Sequence, residues 1–263
     1  MTKIYTFVNQ KGGVGKTTSA ISLGAYLGYY GQRVLLIDLD PQANATSSLG
    51  IDKRTVRNGT YEVLIGNQPI GPHILHNPRF RMSILPSSPA LAGAEVELIE
   101  IPGRERKLRE ALVSALDRYD YILIDCPPSL SLLTINGLLA ARDGVIIPVQ
   151  CEYLALEGLG QLTQTIQRVQ DSIFPGLAIR GVILTMYDSR TRLGTDVVAE
   201  VRKFFPDQVF QTLIQRSIRL AEAPSYGLPI SIYSPDSPAA RSYSNLAREI
   251  LEGDGVHIPI FED

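Results

Sequence analysis

Short apolar runs alternate along the chain with longer stretches in which apolar residues return every three or four positions. The runs Ile4–Val8, Arg33–Asp38, Ser83–Leu85, Tyr121–Asp125, Gly144–Val149 and Arg180–Tyr187 predict strands, with Val209–Leu213 as a candidate edge strand. Val34-Leu35-Leu36-Ile37 is unbroken apolar sequence, the type buried on both faces of a parallel sheet. Helices are predicted from Thr17 to about Tyr30 and over Pro89–Ile99, Arg104–Leu116, Leu132–Ala141, Glu157–Ser172, Thr195–Phe204 and Ala239–Glu252. Gly31 fits the left-handed position that commonly stops a helix. Alternating β and α segments predict an α/β fold: one doubly wound, mostly parallel sheet with helices on both faces. Ligands of such sheets gather beyond the carboxyl ends of the strands. The stretch from Gly50 to Pro89 is the least regular connection and, on composition, the most mobile. Residues 1–252 read as a single domain. Residues 253–263 read as a short acidic tail, where Pro259 bars a helix and no basic amphipathic face suits a membrane.

Composition narrows the class. A chain of 263 residues with 44% hydrophobic content suits one sizeable α/β core. The net charge of −2 argues against bulk attraction to polyanions but leaves room for a local basic face. Cys126 and Cys151 sit in apolar surroundings and read as buried free thiols, which points to a reducing, cytoplasmic setting. The first strand begins almost at the initial Met, and no apolar run has the length of a membrane span. His73, His76 and His257 lack metal-ligand spacing and read as surface residues.

The chemistry concentrates in Gln10-Lys11-Gly12-Gly13-Val14-Gly15-Lys16-Thr17-Thr18. A glycine loop between a strand and a helix presents backbone N–H groups, and the helix N-terminus adds partial positive charge. That is a phosphate cradle, in which Lys16 reaches the β/γ-phosphates and the Thr17 hydroxyl holds Mg²⁺. The usual G-x-x-x-x-G-K-S/T pattern fails at its first position, Gln10, and the loop carries an extra cation, Lys11. Asp38 and Asp40 are separated by one residue, so strand alternation predicts that both carboxylates face the nucleotide crevice. Tyr121-Ile122-Leu123-Ile124-Asp125 is an apolar strand ending in a carboxylate, placed to hold Mg²⁺, usually through a water. Pro127 and Pro128 stiffen the segment that follows.

The spacing Lys-Gly-Gly-x-Gly-Lys-Thr-Thr resembles the deviant Walker A box of the ParA/MinD ATPases. Val-Asn-Gln ahead of the loop, Leu-Ile-Asp-Leu-Asp-Pro-Gln, Ile-Asp-Cys-Pro-Pro-Ser and Ala221-Glu222-Ala223-Pro224-Ser225-Tyr226-Gly227 are similar to the ParA/Soj branch. The resemblance covers nearly the whole chain. It implies an ATPase using Mg²⁺ and a homodimer with ATP sandwiched between subunits, Lys11 reaching the partner's nucleotide. It implies that Asp40 positions the attacking water, while Asp38 supports the loop and the outer shell of the metal. Where relatives read Pro-Arg-Asn, with flanking residues touching adenine, this chain has Gln215-Arg216-Ser217, so Gln215 and Ser217 are the candidates for the base.

The densest basic sector comprises Arg190, Arg192, Arg202, Lys203, Arg216 and Arg219, broken by Asp196, Glu200 and Asp207. Such a cluster can simply solvate a helix face. The resemblance implies instead DNA binding without sequence preference, a nucleoid location and a ParB-type centromere-binding partner that stimulates slow turnover. Arg190 and Arg219 lead the candidates because both are expected in turns. The implied role is positioning of a cargo: a chromosome, a plasmid or a protein assembly. Two alternatives share the loop. A MinD-like membrane positioner needs a membrane-binding C-terminal helix, and an iron-protein-like electron-transfer ATPase needs subunit-bridging cysteines that Cys126 and Cys151 do not match.

Overall fold

The computed structural model describes residues 1–153 and 155–257. Eight strands form one sheet in the order β3-β4-β2-β5-β1-β6-β7-β8. They are β1 (Lys3–Phe7), β2 (Val34–Asp38), β3 (Leu75–Asn77), β4 (Met82–Leu85), β5 (Tyr121–Asp125), β6 (Gly144–Gln150), β7 (Ile179–Tyr187) and β8 (Val209–Gln215). Among the described residues only β3 runs antiparallel, paired to β4 at one edge. The helices are α1 (Lys16–Tyr29), α2 (Asn44–Ser48), α3 (Thr60–Leu64), α4 (Leu91–Glu97), α5 (Lys107–Leu112) and α6 (Leu132–Ala140). They continue with α7 (Ala155–Ser172), α8 (Arg192–Phe204), α9 (Ile218–Glu222), α10 (Ile230–Tyr233) and α11 (Pro238–Gly253). The doubly wound, mostly parallel sheet expected from the β/α alternation is therefore the fold.

Strand periodicity splits the core into two layers. In β1, β2 and β5, the residues Tyr5, Phe7, Leu36, Tyr121 and Leu123 pack with α1 and α11. Their neighbours Ile4, Leu35, Ile37, Ile122 and Ile124 pack with α4 to α8 on the opposite face. All five residues of β2 and of β5 are buried, as central parallel strands require. The sheet thus carries Phe7, Asp38 and Asp125 to one rim, where β1 and β2 both flank β5.

The irregular stretch after Gly50 holds α3, a 3₁₀ turn at Gly71–His73 and the short β3. Helices expected over Pro89–Ile99 and Arg104–Leu116 are each shorter α-helices continued by 3₁₀ turns. His73 is buried rather than on the surface, its Nδ1 without a partner among the described residues. Cys126 is buried as expected, but Cys151 is only half-buried. The packed part of the chain extends past Glu252, because the Asp254 side chain is 2% exposed and is bound to Arg180. Pro259 lies outside the described residues. Among the described residues, no helix is long and apolar enough to cross a membrane.

Candidate nucleotide site and its basic neighbour

The loop between β1 and α1 is shaped by two side chains beyond the glycine motif. Asn9 Oδ1 accepts from the Lys11 amide at 3.0 Å, and Asn9 Nδ2 donates to the Pro148 carbonyl at 2.8 Å. Thr185 Oγ1, from β7, donates to the Val14 carbonyl at 2.9 Å. Gly15 lies at φ +86 as the residue capping α1, with Thr185 Cγ2 only 3.7 Å from where a Cβ would stand. No side chain caps α1, and its first turn has no acidic residue. The exposed amides and the helix dipole are therefore directed at whatever anion enters the loop. At Gly12 and Gly13 an added Cβ would meet nothing within 4 Å among the described residues.

Lys16 is 6% exposed, and its Nζ donates to the Lys11 carbonyl at 3.3 Å. Burial pulls its pKa down, while the charges of Asp125 and Asp40 oppose that pull. The Thr17 hydroxyl donates to Asp125 Oδ2 at 2.7 Å, and Asp125 Oδ1 is buried without a partner among the described residues. Burial, reinforced by the neighbouring charge of Asp38, raises the pKa of Asp125. A hydroxyl and a carboxylate held together, with one carboxylate oxygen orphaned, is a donor set that fits a hard divalent cation such as Mg²⁺. Orphaned buried oxygens are rare enough to call for a ligand or a water there.

Asp38 and Asp40 divide their roles in a way that strand alternation alone did not anticipate. β2 ends at Asp38, so Asp40 stands in the turn beyond the strand. Asp38 is fully buried and accepts from the Thr46 amide at 2.8 Å, the Thr46 hydroxyl at 2.7 Å and the Asp40 amide at 3.2 Å. Its carboxylate thus faces the segment it organises rather than the crevice. Burial still pushes its pKa up to about 6, against those hydrogen bonds. Asp40 is 6% exposed, with Oδ1 accepting from the Gln42 amide and its carbonyl accepting from Ser87 Oγ, both at 2.8 Å. Ala43 follows at φ 51, a left-handed conformation that a non-glycine residue holds only under constraint.

Lys11 points away from Lys16. Its Nζ pairs with Glu152 of the same chain, and both side chains are about a third exposed. A cavity of about 360 Å³ adjoins the phosphate loop, lined by Gly15, Thr18, Met186, Gln215, Ser217 and Ile218. Gln215 and Ser217, far from the loop in sequence, are thereby brought beside it. Asn9, Thr46, Ser87, Glu152 and Thr185 had no assigned role in the sequence. Single Thr, Ser or Asn residues carry no periodic signal, although Asn9 and Glu152 do flank recognisable strand ends.

The basic sector adjoins this cavity through the ends of β7 and β8, where the Arg216 amide donates to the Tyr187 carbonyl at 2.9 Å. Arg190 lies in a turn, as expected, but Arg219 lies within α9. Arg190 grips Asp188 and Arg219 grips Glu222; Arg192 pairs with Asp196, and Lys203 with Glu200. Arg202 is committed elsewhere, its Nη1 donating to Gln211 Oε1 at 3.1 Å beside the β8 edge.

Comparison with known proteins agrees with this geometry. Residues 2–179 match the model of an AAA domain family. The sporulation initiation inhibitor protein Soj of Bacillus subtilis is 51% identical, the alignment covering 95% of this chain and 98% of that protein. The chromosome-partitioning ATPase Soj of Treponema pallidum is also 51% identical, over 97% of this chain and 99% of its own. The crystal structure of a Mycobacterium smegmatis protein named cobyrinic acid a,c-diamide synthase, with bound ATP analogue and magnesium, superposes with a TM-score of 0.85 at 38% identity, covering all of both chains. A strand-borne phosphate loop with a second lysine, two aspartate-bearing strand ends, and whole-length identity of this order lead to one assignment: the chain belongs to the Soj/ParA family of chromosome-partitioning ATPases.

Proposed function

We propose that the chain is an ATP-dependent dimerising switch that binds DNA without sequence preference and positions or segregates a cargo. The observation that carries this reading is the group formed by buried Lys16 and Asp125 with half-buried Thr17, its carboxylate oxygen orphaned among the described residues, set beside Asp40 at the sheet rim. The amides from Gly12 to Thr18, Val14 included, would cradle the phosphates of ATP, with Lys16 at the β/γ oxygens. Thr17 would hold Mg²⁺, with Asp125 acting through a water; bound Mg²⁺ neutralises charge developing on the phosphates. Asp38 serves the metal's outer shell indirectly, by fixing the turn that carries Asp40. Asp40 would orient the attacking water. Gln215 and Ser217 line the cavity open to the base.

Lys11 would exchange Glu152 for the nucleotide of a second subunit, which explains a loop cation whose ammonium pairs with Glu152. The open space over Gly12 and Gly13 suits a partner loop approaching there. Arg190, Arg192, Lys203, Arg216 and Arg219 supply the DNA-facing charge, read through backbone phosphates alone. Basal turnover is slow, and a ParB-type partner supplies the missing cation; in comparable GTPases such a cation is worth roughly 10³–10⁵ in rate. On this reading the protein works on the nucleoid in the cytoplasm, serving a chromosome, plasmid or protein assembly.

Light scattering coupled to size exclusion, with ATP and Mg²⁺, tests the scheme. Asp40→Ala should dimerise and persist as a dimer while hydrolysis is abolished. In that background, Lys11→Ala should remain monomeric yet still bind nucleotide. A dimer that survives the Lys11 change, or wild-type hydrolysis by Asp40→Ala, overturns the respective assignment.

A further inference from the structure

The basic sector is neutralised from within. Arg190 Nε and Nη2 lie 2.9 and 2.7 Å from the two carboxylate oxygens of Asp188, a full two-pronged pair. Arg219 Nη1 lies 2.9 Å from Glu222 Oε2, which also accepts from the Tyr233 hydroxyl at 2.9 Å. Lys203 is 2.9 Å from Glu200, and Arg192 is 3.9 Å from Asp196. Each acid sits two to four residues from its base in sequence, so the cluster's positive charge is largely cancelled where it stands. The arginines are nonetheless presented to solvent, Arg190 at 85% and Arg219 at 58% side-chain exposure.

We infer that Asp188 and Glu222 are built-in counterions that compete with DNA phosphate for Arg190 and Arg219, and so set both the strength and the salt response of DNA binding. The inference rests on the reading of this sector as the DNA-binding face. A guanidinium fork fits carboxylate and phosphate alike, so DNA can take the place of the acid without moving the arginine backbone. Each exchange leaves a carboxylate beside the incoming phosphate. An intact pair offers a phosphate no net charge, so its condensed cations are not released on binding. DNA affinity in the wild type is therefore weaker, and its salt dependence shallower, than the number of arginines suggests.

Such pairs contribute little to the fold, since exposed ion pairs are worth about 0–1 kcal/mol. The carboxylates can therefore be neutralised with little risk to folding. Asp188 Oδ1 also accepts from the Arg190 amide at 3.0 Å, a turn that an asparagine oxygen reproduces. A glutamine at 222 likewise keeps an acceptor for Tyr233. Asp188→Asn and Glu222→Gln thus remove charge and keep shape.

The experiment uses the full-length protein with ATP and Mg²⁺, and two unrelated DNA duplexes read by fluorescence anisotropy across a salt series. Each variant should bind both duplexes about three- to tenfold more tightly, the effect of removing one like charge a few ångströms from a phosphate. Its plot of log affinity against log salt should steepen, by up to about 0.9 for each phosphate newly neutralised. In an Arg190→Gln background, Asp188→Asn should lose most of its benefit. If wild type binds DNA and the variants match it in affinity and slope, or bind more weakly, the counterion role is overturned while the DNA reading stands. If neither wild type nor variants bind either duplex with ATP, both fall together.

Discussion

The two rims of the sheet bury carboxylates in opposite ways. At the rim away from the phosphate loop, Asp254 accepts from the Tyr5 hydroxyl at 2.7 Å, the Tyr121 hydroxyl at 3.0 Å and Arg180 Nη2 at 3.2 Å. One cation meets one carboxylate there, and the Arg180 guanidinium also stacks over the Tyr5 and Phe210 rings. At the loop rim, Asp38 and Asp125 are both fully buried, Asp40 is close by, and Lys16 is the cation among them. Asp125 keeps an oxygen without a partner among the described residues. A satisfied polar group in the interior holds elements together, here α11 against β1, β5 and β7. An unsatisfied one stores free energy that a bound cation and phosphate can release.

Mirrored substitutions break this comparison most sharply. Asp254→Asn should lower the unfolding free energy by up to about 3 kcal/mol, because it leaves the half-buried Arg180 without its carboxylate. ATP hydrolysis per folded molecule should be unaffected. Asp125→Asn should do the reverse: stability without ligand held or raised, hydrolysis lost. Urea titration and phosphate release, measured on both, decide it. Equal destabilisation by the two variants would mean the rims do not differ in kind.

Ligand addition sharpens the contrast further. If the loop rim carries the unmatched charge, Mg²⁺-ATP should stabilise the wild type by about 4 kcal/mol at a thousandfold excess over its dissociation constant. Lys16→Ala should abolish that gain, whereas Asp254→Asn should keep it in full on its lower baseline. Thermal unfolding with and without Mg²⁺-ATP reads both. A retained gain in Lys16→Ala would remove this lysine from the phosphate site.

The loop rim was legible in the sequence because its parts are local. Lys11 to Thr18 are contiguous, and Asp38 and Asp125 each end an apolar run. The opposite rim was not legible, since its cluster joins Tyr5, Tyr121, Arg180 and Asp254 across most of the chain length. Each of these looks ordinary alone, and an acid near the C-terminus reads as solvated. The long helices and central strands followed their periodicity, whereas α2, α3, α9 and α10 are too short to express a helical period. β3 escaped notice for a similar reason: three residues, none buried. Thr46 and Thr185 organise the site through single hydroxyls, a function that no spacing announces.

The smallest effect concerns pH. Asp38 is buried from all solvent, and its pKa is pushed up to about 6 chiefly by that burial. The unfolded chain would titrate this carboxyl near 4. The folded chain therefore binds its proton more tightly, so the stabilisation is fully present below about pH 4 and is lost as pH rises through about 6. A carboxyl raised from near 4 to about 6 contributes at most about 3 kcal/mol in this way. Surface carboxylates such as the half-buried Asp188, held down to about 2 by Arg190, act in the opposite sense and at lower pH. The expected signature is thus a difference: between pH 4 and 6, the stability of Asp38→Asn relative to wild type should rise, then level off above pH 6. Denaturant titrations of ligand-free protein across this range measure it. A flat difference would mean that Asp38 is ionised throughout and that Thr46 and the Asp40 amide fully offset its burial.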